Sequence, residues 1–142
     1  MSSGLSHMTF IVSDLDRMTN LLTTVLGARE VYSSEEATFS LSQEKFFLVG
    51  DVWIAIMQGD ALNERTYNHV AFKIEEEDFD TKLAAVERLG LEVKPPRARV
   101  EGEGRSIYFY DNDNHLFELH TGTLDMRLDH YRRILRERSA AQ

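Results

Sequence analysis

The sequence predicts an α+β domain made of two copies of a β-α-β-β-β unit. Residues 7–12 (HMTFIV) match residues 69–74 (HVAFKI), and Leu26-Gly27 falls near Leu89-Gly90 when these two segments are aligned. Each matched segment has strand character and is followed by apolar residues at helical spacing and then by further strands. Two copies are too few for a solenoid, so the repeat predicts two modules of one domain.

Module one is predicted to span about residues 4–60. Residues 5–13 form its first strand, and Ser13 caps a helix with Asp16 three positions later, as in a capping box. Gly27 ends that helix. The apolar face of the helix comprises Met18, Leu21, Leu22, Val25 and Leu26. Three strands are predicted after it, at 30–33, at 38–48 with a possible break near 43–45, and at 52–58.

Module two is predicted to span about residues 66–122 and repeats this order. A strand at 67–75 precedes a helix at 78–89, which buries Phe79, Leu83, Val86 and Leu89 and which Gly90 ends. Strands follow at 91–94, 106–110 and 115–121, with a turn at 111–114. A C-terminal helix at about 124–138 carries Leu124, Leu128, Tyr131 and Leu135 on one face, so we expect it to pack on the core or on a partner subunit.

Composition narrows the class of protein. A chain of 142 residues suits one domain, 1–142, with its own core. The net charge of −8 disfavours nucleic acid as a partner, and no apolar run approaches the roughly 20 residues that span a membrane. The chain has no cysteine, which excludes disulfides and thiolate ligands and is consistent with a cytoplasmic location.

Three residues are candidate metal ligands. His7 and His69 hold matched places in the two modules, so a pseudo-two-fold axis could bring their imidazoles to one divalent metal. Glu118 lies in an otherwise apolar strand, where an unpaired carboxylate is costly, and a metal or an arginine would offset that cost. His120 shares the face of Glu118 and is a rival ligand. Three protein ligands would leave positions open for water or substrate.

Several segments together resemble a known family. They are residues 44–47 (EKFF), 64–69 (ERTYNH), 101–110 (EGEGRSIYFY), 108–118 (YFYDNDNHLFE) and 117–124 (FELHTGTL). With the repeat and its paired histidines, they resemble the vicinal oxygen chelate (glyoxalase/dioxygenase) superfamily. Within it, the chain is most similar to the fosfomycin-resistance proteins, and to their epoxide hydrolases more than to their thiol transferases.

The resemblance implies a site and a reaction. It implies Mn²⁺, or another divalent metal, on His7, His69 and Glu118, acting as a Lewis acid while water opens the epoxide of fosfomycin to a diol. Glu44 matches the general base of the family, and Arg127 matches a phosphonate-binding arginine. The polar residues expected beside the substrate are Thr9, Tyr67, Ser106 and Tyr108, with Lys94, Arg99 and Arg105 as helpers. The family also implies a homodimer whose modules pair across a domain-swapped interface.

Alternatives remain open at this stage. A fosfomycin thiol (glutathione) transferase is the first, although the potassium-binding loop of the transferases is not evident in residues 97–105. Two histidines and one carboxylate also make the facial triad of non-haem iron dioxygenases. A non-catalytic antibiotic-binding protein of the same fold is a third alternative. Glu101 and Glu103 are fallback bases.

Overall fold

The computed structural model describes residues 1–96 and 100–142, so the predicted helper Arg99 and its neighbours 97 and 98 lie outside the described residues. The chain forms two small sheets and three α-helices in the described part, which confirms the α+β prediction. Module one contains β1 (His7–Val12), α1 (Leu15–Leu26), β2 (Arg29–Ser33), β3 (Glu44–Val49) and β4 (Val52–Gln58). The remainder contains β5 (His69–Lys73), α2 (Phe79–Arg88), β6 (Ser106–Tyr110), β7 (Leu116–His120) and α3 (Leu124–Ala140).

The two modules build equivalent sheets. In the first, the strand order is β1-β4-β3-β2, with β1 parallel to β4 and the other neighbours antiparallel. In the second, the order is β5-β7-β6, with β5 parallel to β7 and β6 antiparallel to β7. The strands that carry His7 and His69 therefore occupy the same position, at one edge of each sheet.

The predicted strand at 91–94 is reduced to one β-bridge between Val93 and Phe109. The Lys94 amide still donates to the Tyr108 carbonyl at 2.8 Å, as in a strand. Pro95 and Pro96 follow directly, and proline has no amide hydrogen with which to continue the ladder. The predicted fourth strand of the second sheet is therefore present only as this single bridge.

The prediction of a strand at 38–43 is wrong. The chain turns at 34–37 instead, where Glu35 has φ +53° and the Ala37 amide donates to the Ser34 carbonyl. Ser34 then closes the loop, since its hydroxyl accepts from the Glu44 amide at 2.9 Å and its amide donates to the Glu44 carbonyl. Phe39 and Leu41 have no sheet to cover and are exposed, so β3 begins only at Glu44.

The predicted cap of α1 is displaced by one residue. Asp14, not Ser13, accepts from the Arg17 amide at 2.9 Å and caps the helix. Ser13 serves a different contact, because its amide and its hydroxyl both donate to Asp113 Oδ1, at 3.0 and 2.5 Å. Asp113 lies in the turn before β7 and is 2% exposed, so this contact ties module one to module two.

The core lies between the sheets and the first two helices. Its largest fully buried side chains come from both modules and include Leu22, Phe47, Phe109 and Phe117. As predicted, α1 ends at Gly27, which adopts φ +64°, and Phe79 and Val86 of α2 are buried. By contrast, α3 buries no side chain, and Leu124, Tyr131 and Leu135 are exposed. Of the helices described, none has the length and apolarity to cross a bilayer.

Candidate active site

One face of the first sheet carries three of the predicted site residues. Successive strand residues point to opposite faces, and residues paired across strands share a face. The pairs Thr9–Ala55 and Ala55–Phe46, and the pairs Ile11–Met57 and Met57–Glu44, form two such rows. His7, Thr9 and Glu44 therefore share the face opposite the core, where His7 and Thr9 are exposed and Glu44 is half-buried.

His7 rests on an aromatic partner that the sequence analysis did not single out. Its ring stacks on Trp53, with centroids 4.2 Å apart, and its Nδ1 lies 3.0 Å from the Ser6 hydroxyl. Trp53 is the cross-strand neighbour of His7 in β4. Matching β1 against β4 in register would have revealed this pair. The stacking fixes the plane of the imidazole without using Nε2.

Lys45 leaves the carboxylate of Glu44 unneutralised. It follows Glu44 in the strand, so it points to the opposite face, where its ammonium lies 2.9 Å from Glu30 and 3.7 Å from Asp16. The cation next to Glu44 in sequence is therefore used on the helix side of the sheet. This arrangement suits a carboxylate that acts as a base on the other face.

The matching face of the second sheet carries a buried carboxylate and a histidine. Glu118 is 5% exposed, and its Oε1 lies 3.1 Å from His69 Nε2. Its partners include His69, Ser106, Tyr108 and His120, and none of the contacts described joins it to an arginine that would offset its burial. The strand predicted around Glu118 is thus present, with the carboxylate on the face that also carries His69.

The tautomer of His69 indicates what can lie between its Nε2 atom and the Glu118 carboxylate. His69 Nδ1 is 2.7 Å from the Tyr67 carbonyl, which can only accept, so Nδ1 carries the hydrogen. In a neutral imidazole, Nε2 then presents a lone pair to the Glu118 oxygen. Two acceptors 3.1 Å apart repel unless a proton or a cation lies between them. The geometry therefore fits a metal ion held by both atoms, and the backbone contact of Nδ1 is typical of a ligating histidine.

A row of hydrogen bonds leads from Glu118 toward α3. The Ser106 hydroxyl lies 2.6 Å from Glu118 Oε2 and 2.7 Å from His120 Nδ1. His120 Nε2 lies 3.3 Å from Arg127 Nη2. The prediction that Arg127 points inward from the first turn of the C-terminal helix agrees with this contact.

Two tyrosines stand beside His69. The hydroxyls of Tyr67 and Tyr108 are 3.4 Å apart, and the Lys94 ammonium lies 5.1 Å from the centre of the Tyr67 ring. Burial raises the pKa of Tyr108 well above its ordinary value, and the Tyr67 hydrogen bond and the negative charge of Glu118 raise it further. Tyr108 therefore keeps its proton at neutral pH and can donate a hydrogen bond.

A cleft of about 650 Å³ lies beside these residues. Its wall includes three cationic residues, two acidic residues and polar groups of β6 and β7: Lys94, Arg105, Arg127, Glu87, Glu103, Ser106, Tyr108 and His120. The guanidinium of Arg105 also contacts Glu76 at 3.2 Å and stacks on the Phe79 ring, so part of its charge is already balanced. In a cleft of this size, Lys94 and Arg127 are the cationic groups that could bind a small anion.

The predicted site residues thus fall into two groups on separate sheets. His7, Thr9 and Glu44 form one group, and the other comprises Tyr67, His69, Ser106, Tyr108, Glu118 and Arg127. Within residues 1–96 and 100–142 of one chain, no three histidine or acidic side chains are placed to hold a metal ion. The three-ligand set therefore stays a prediction for a single chain.

The two fallback carboxylates have different surroundings. Glu103 lines the same cleft as Ser106 and Arg127 and is 3.9 Å from His130 of α3, whereas Glu101 lines a second cleft with Glu75 and Met126. His115 binds Asp111 in the turn before β7 at 2.7 Å. None of these three residues contacts Glu118 among the interactions described.

Comparison with known proteins identifies the family. The Glyoxalase/Bleomycin resistance protein/Dioxygenase superfamily model matches residues 4–119. The chain belongs to this superfamily, which confirms the fold that the resemblance implied.

Within the superfamily, the chain is similar to the proteins named fosfomycin resistance protein FosX. It is 67% identical to the one from Mesorhizobium japonicum over 128 residues, covering 90% of this chain and 92% of the relative. It is 60% identical to the one from Listeria monocytogenes, covering 92% and 98%. A crystal structure of a Listeria monocytogenes FosX variant, with Mn(II) and 1S,2S-dihydroxypropylphosphonic acid bound, superposes with a TM-score of 0.84 at 56% identity, covering 92% and 99%.

The thiol transferases are more distant relatives. The metallothiol transferase FosB of Shouchella clausii is 38% identical over 136 residues, covering 92% of this chain and 88% of the relative. The difference in identity supports the resemblance to the hydrolase type and confirms that part of the sequence analysis.

Proposed function

We propose that this protein is a Mn²⁺-dependent hydrolase that adds water to the epoxide of fosfomycin and so confers resistance to the antibiotic. The observation that carries the proposal is the buried pair of Glu118 and His69, whose facing oxygen and nitrogen atoms are placed to share a cation. The FosX relatives support the substrate, because one of them binds a dihydroxypropylphosphonic acid, the diol expected when water opens this epoxide. A cytoplasmic location is part of the same proposal.

The residues present fit the metal. Glu118 and His69 supply a carboxylate oxygen and an imidazole nitrogen, a donor set that suits Mn²⁺, and a FosX structure contains Mn(II). When bound, the ion would supply Lewis acid stabilisation of the negative charge that develops on the epoxide oxygen. His7, which carries the same imidazole donor, is proposed as the third ligand.

We propose that His7 reaches this site from a second chain, in a homodimer with exchanged modules. His7, Thr9 and Glu44 lie together on an open sheet face, while the ligands His69 and Glu118 lie on the other sheet. Two chains related by a two-fold axis would form two equivalent sites, each with one group from either chain. The exposed apolar side chains of α3 support such a pairing, since a partner would cover them.

Each side chain of the proposed site has its own role in the hydrolysis. Glu44 takes a proton from the attacking water, and Arg127 with Lys94 binds the phosphonate through charge-assisted contacts. Tyr67, Tyr108 and Thr9 supply hydroxyl donors that orient the substrate. Ser106 was predicted as a further substrate contact, and its hydroxyl already lies 2.6 Å from Glu118.

Incubating the Mn²⁺-loaded protein with fosfomycin in H₂¹⁸O should yield a diol that carries one solvent-derived oxygen. Adding glutathione should not divert the product to a thioether. A thiol adduct as the main product would place the chain with the transferases. Consumption of O₂ would indicate a dioxygenase, and metal-independent binding without turnover would indicate a sequestering protein.

Mixing inactive variants tests the shared site. Chains carrying His7→Ala and chains carrying Glu118→Ala should each be inactive alone but recover about one quarter of wild-type turnover when assembled together in equal amounts, because half of the dimers are mixed and each mixed dimer keeps one intact site. The double variant His7→Ala/Glu118→Ala mixed with wild type is the control. No recovery would mean that His7 and Glu118 act within one chain.

A further inference from the structure

We propose that His120 is a positioning residue that couples the anion-binding guanidinium of Arg127 to the metal-binding carboxylate of Glu118 through Ser106. The inference rests on the proposed function, which assigns Arg127 to the phosphonate and Glu118 to the metal. The proposed function treats Arg127 and Glu118 as acting separately, whereas the inference connects them through His120 and Ser106. Four side chains in contact carry it, on β6, β7 and α3.

The chemistry of the two ends fixes the direction of every hydrogen bond in the row. An arginine guanidinium can only donate, so His120 Nε2, 3.3 Å from Arg127 Nη2, is the acceptor and carries no hydrogen. The ring hydrogen is then on Nδ1, which donates to Ser106 Oγ at 2.7 Å. The Ser106 hydroxyl in turn donates to Glu118 Oε2 at 2.6 Å, since a carboxylate only accepts.

This order leaves no ring nitrogen of His120 for a metal. Nε2 is held by Arg127, and Nδ1 is held by Ser106 with Glu118 Oε2 a further 3.3 Å contact. Ligation by either nitrogen would break the row at that point. The structure therefore favours a role for His120 in positioning Glu118. The sequence had left open that His120 itself is a metal ligand.

Two glycines leave the space in which the ring lies. A Cβ atom at Gly122 would lie 2.7 Å from His120 Nε2 and 2.5 Å from the Glu103 carbonyl oxygen. A Cβ atom at Gly104 would lie 2.5 Å from the Gly122 amide nitrogen. The backbone segments before β6 and after β7 can pass this closely only because these two positions carry no side chain.

The row acts on two groups that would otherwise move. Arginine has many rotamers, and a fixed acceptor for Nη2 holds its remaining donors toward the cleft. The serine hydroxyl can rotate, and the Nδ1 hydrogen directs its own hydrogen to Glu118. Such outer contacts typically change metal affinity about 10–100-fold when they are removed.

Two substitutions separate the two ends. His120→Asn keeps an amide donor near Nδ1 but loses the acceptor for Arg127, whereas His120→Gln offers an acceptor near Nε2 but loses the donor to Ser106. We expect His120→Asn to lower the affinity for inorganic phosphate about tenfold, as Arg127→Ala does, with Mn²⁺ affinity nearly unchanged. We expect His120→Gln to lower Mn²⁺ affinity about tenfold, as Ser106→Ala does, with phosphate affinity nearly unchanged.

The measurements are EPR titration for Mn²⁺ and calorimetry for phosphate on the Mn²⁺-saturated protein, with His130→Gln as a matched histidine control on α3. Long-range ¹H–¹⁵N spectra of Zn²⁺-loaded protein should show His120 protonated at Nδ1, with its signal assigned by its loss in His120→Gln. Protonation at Nε2, or equal losses of both affinities in the two variants, would overturn the proposal. Because neither affinity requires turnover, a chain that binds both ions but leaves fosfomycin intact would contradict the hydrolase function alone.

Discussion

Glu44→Gln should lower fosfomycin hydrolysis by about 10²–10⁴-fold, the usual contribution of general base catalysis. Glutamine keeps the size and shape of the side chain but cannot take a proton from water. Glu44 lies on the same sheet face as His7 and Thr9, and Lys45 does not neutralise it, so its carboxylate is free to act as a base. The loss should appear in kcat, measured at saturating Mn²⁺ and fosfomycin.

The matched control is Glu101→Gln, which removes a carboxylate from the loop before β6 and should turn over as the wild type does. Mn²⁺ affinity should be unchanged in both variants, because neither carboxylate is a proposed metal ligand. Near-normal turnover by Glu44→Gln would remove Glu44 from the mechanism and direct attention to Glu101 and Glu103.

Glu118→Ala should abolish tight Mn²⁺ binding and hydrolysis together while the protein stays folded. The carboxylate is 5% exposed and faces His69, and no other acidic side chain contacts His69 among the interactions described. Wild-type protein should gain about 2.7 kcal/mol of unfolding free energy at a Mn²⁺ concentration one hundred times Kd. The variant should gain none, which thermal unfolding with and without Mn²⁺ measures.

Glu118→Gln controls for a packing defect in Glu118→Ala, because glutamine keeps the volume of the side chain and can still accept the Ser106 hydrogen bond. Circular dichroism should show both variants folded, and Glu101→Gln should retain the full Mn²⁺-dependent rise in unfolding temperature. Wild-type Mn²⁺ affinity in Glu118→Ala would make His120 the ligand and would refute its positioning role as well.

Local patterns in the sequence predicted most of the elements. The helical spacing of Met18, Leu21, Leu22 and Val25 marks the buried face of α1, and Gly27 ends that helix with a left-handed conformation that glycine adopts at little cost. The strand at 52–58 is observed with the same bounds. These features depend on residues near one another in the chain, which is why a single sequence suffices to find them.

Features that depend on contacts across the fold were missed or left open. Residues 38–43 have strand-like apolar positions, but no neighbouring strand pairs with them, so they form a loop closed by Ser34. Similarly, the repeat predicts that His7 and His69 are equivalent, but symmetry alone does not tell whether equivalent residues meet within a chain or between chains. The support that Ser106 and His120 give Glu118 follows from the register of β6 on β7, which the sequence does not state.

The edge positions of β1 and β5 expose each chain to aggregation before the proposed dimer forms. Among the described strands, β1 pairs only with β4 and β5 only with β7, so each has an outer row of backbone amide and carbonyl groups without a strand partner. Such edges recruit other chains indiscriminately. The strands are short, with six and five residues, and Lys73 on β5 disfavours an apolar stack. Slow synthesis at low temperature should therefore raise the yield of folded protein, because correct and incorrect association compete for the strands that carry the two histidines.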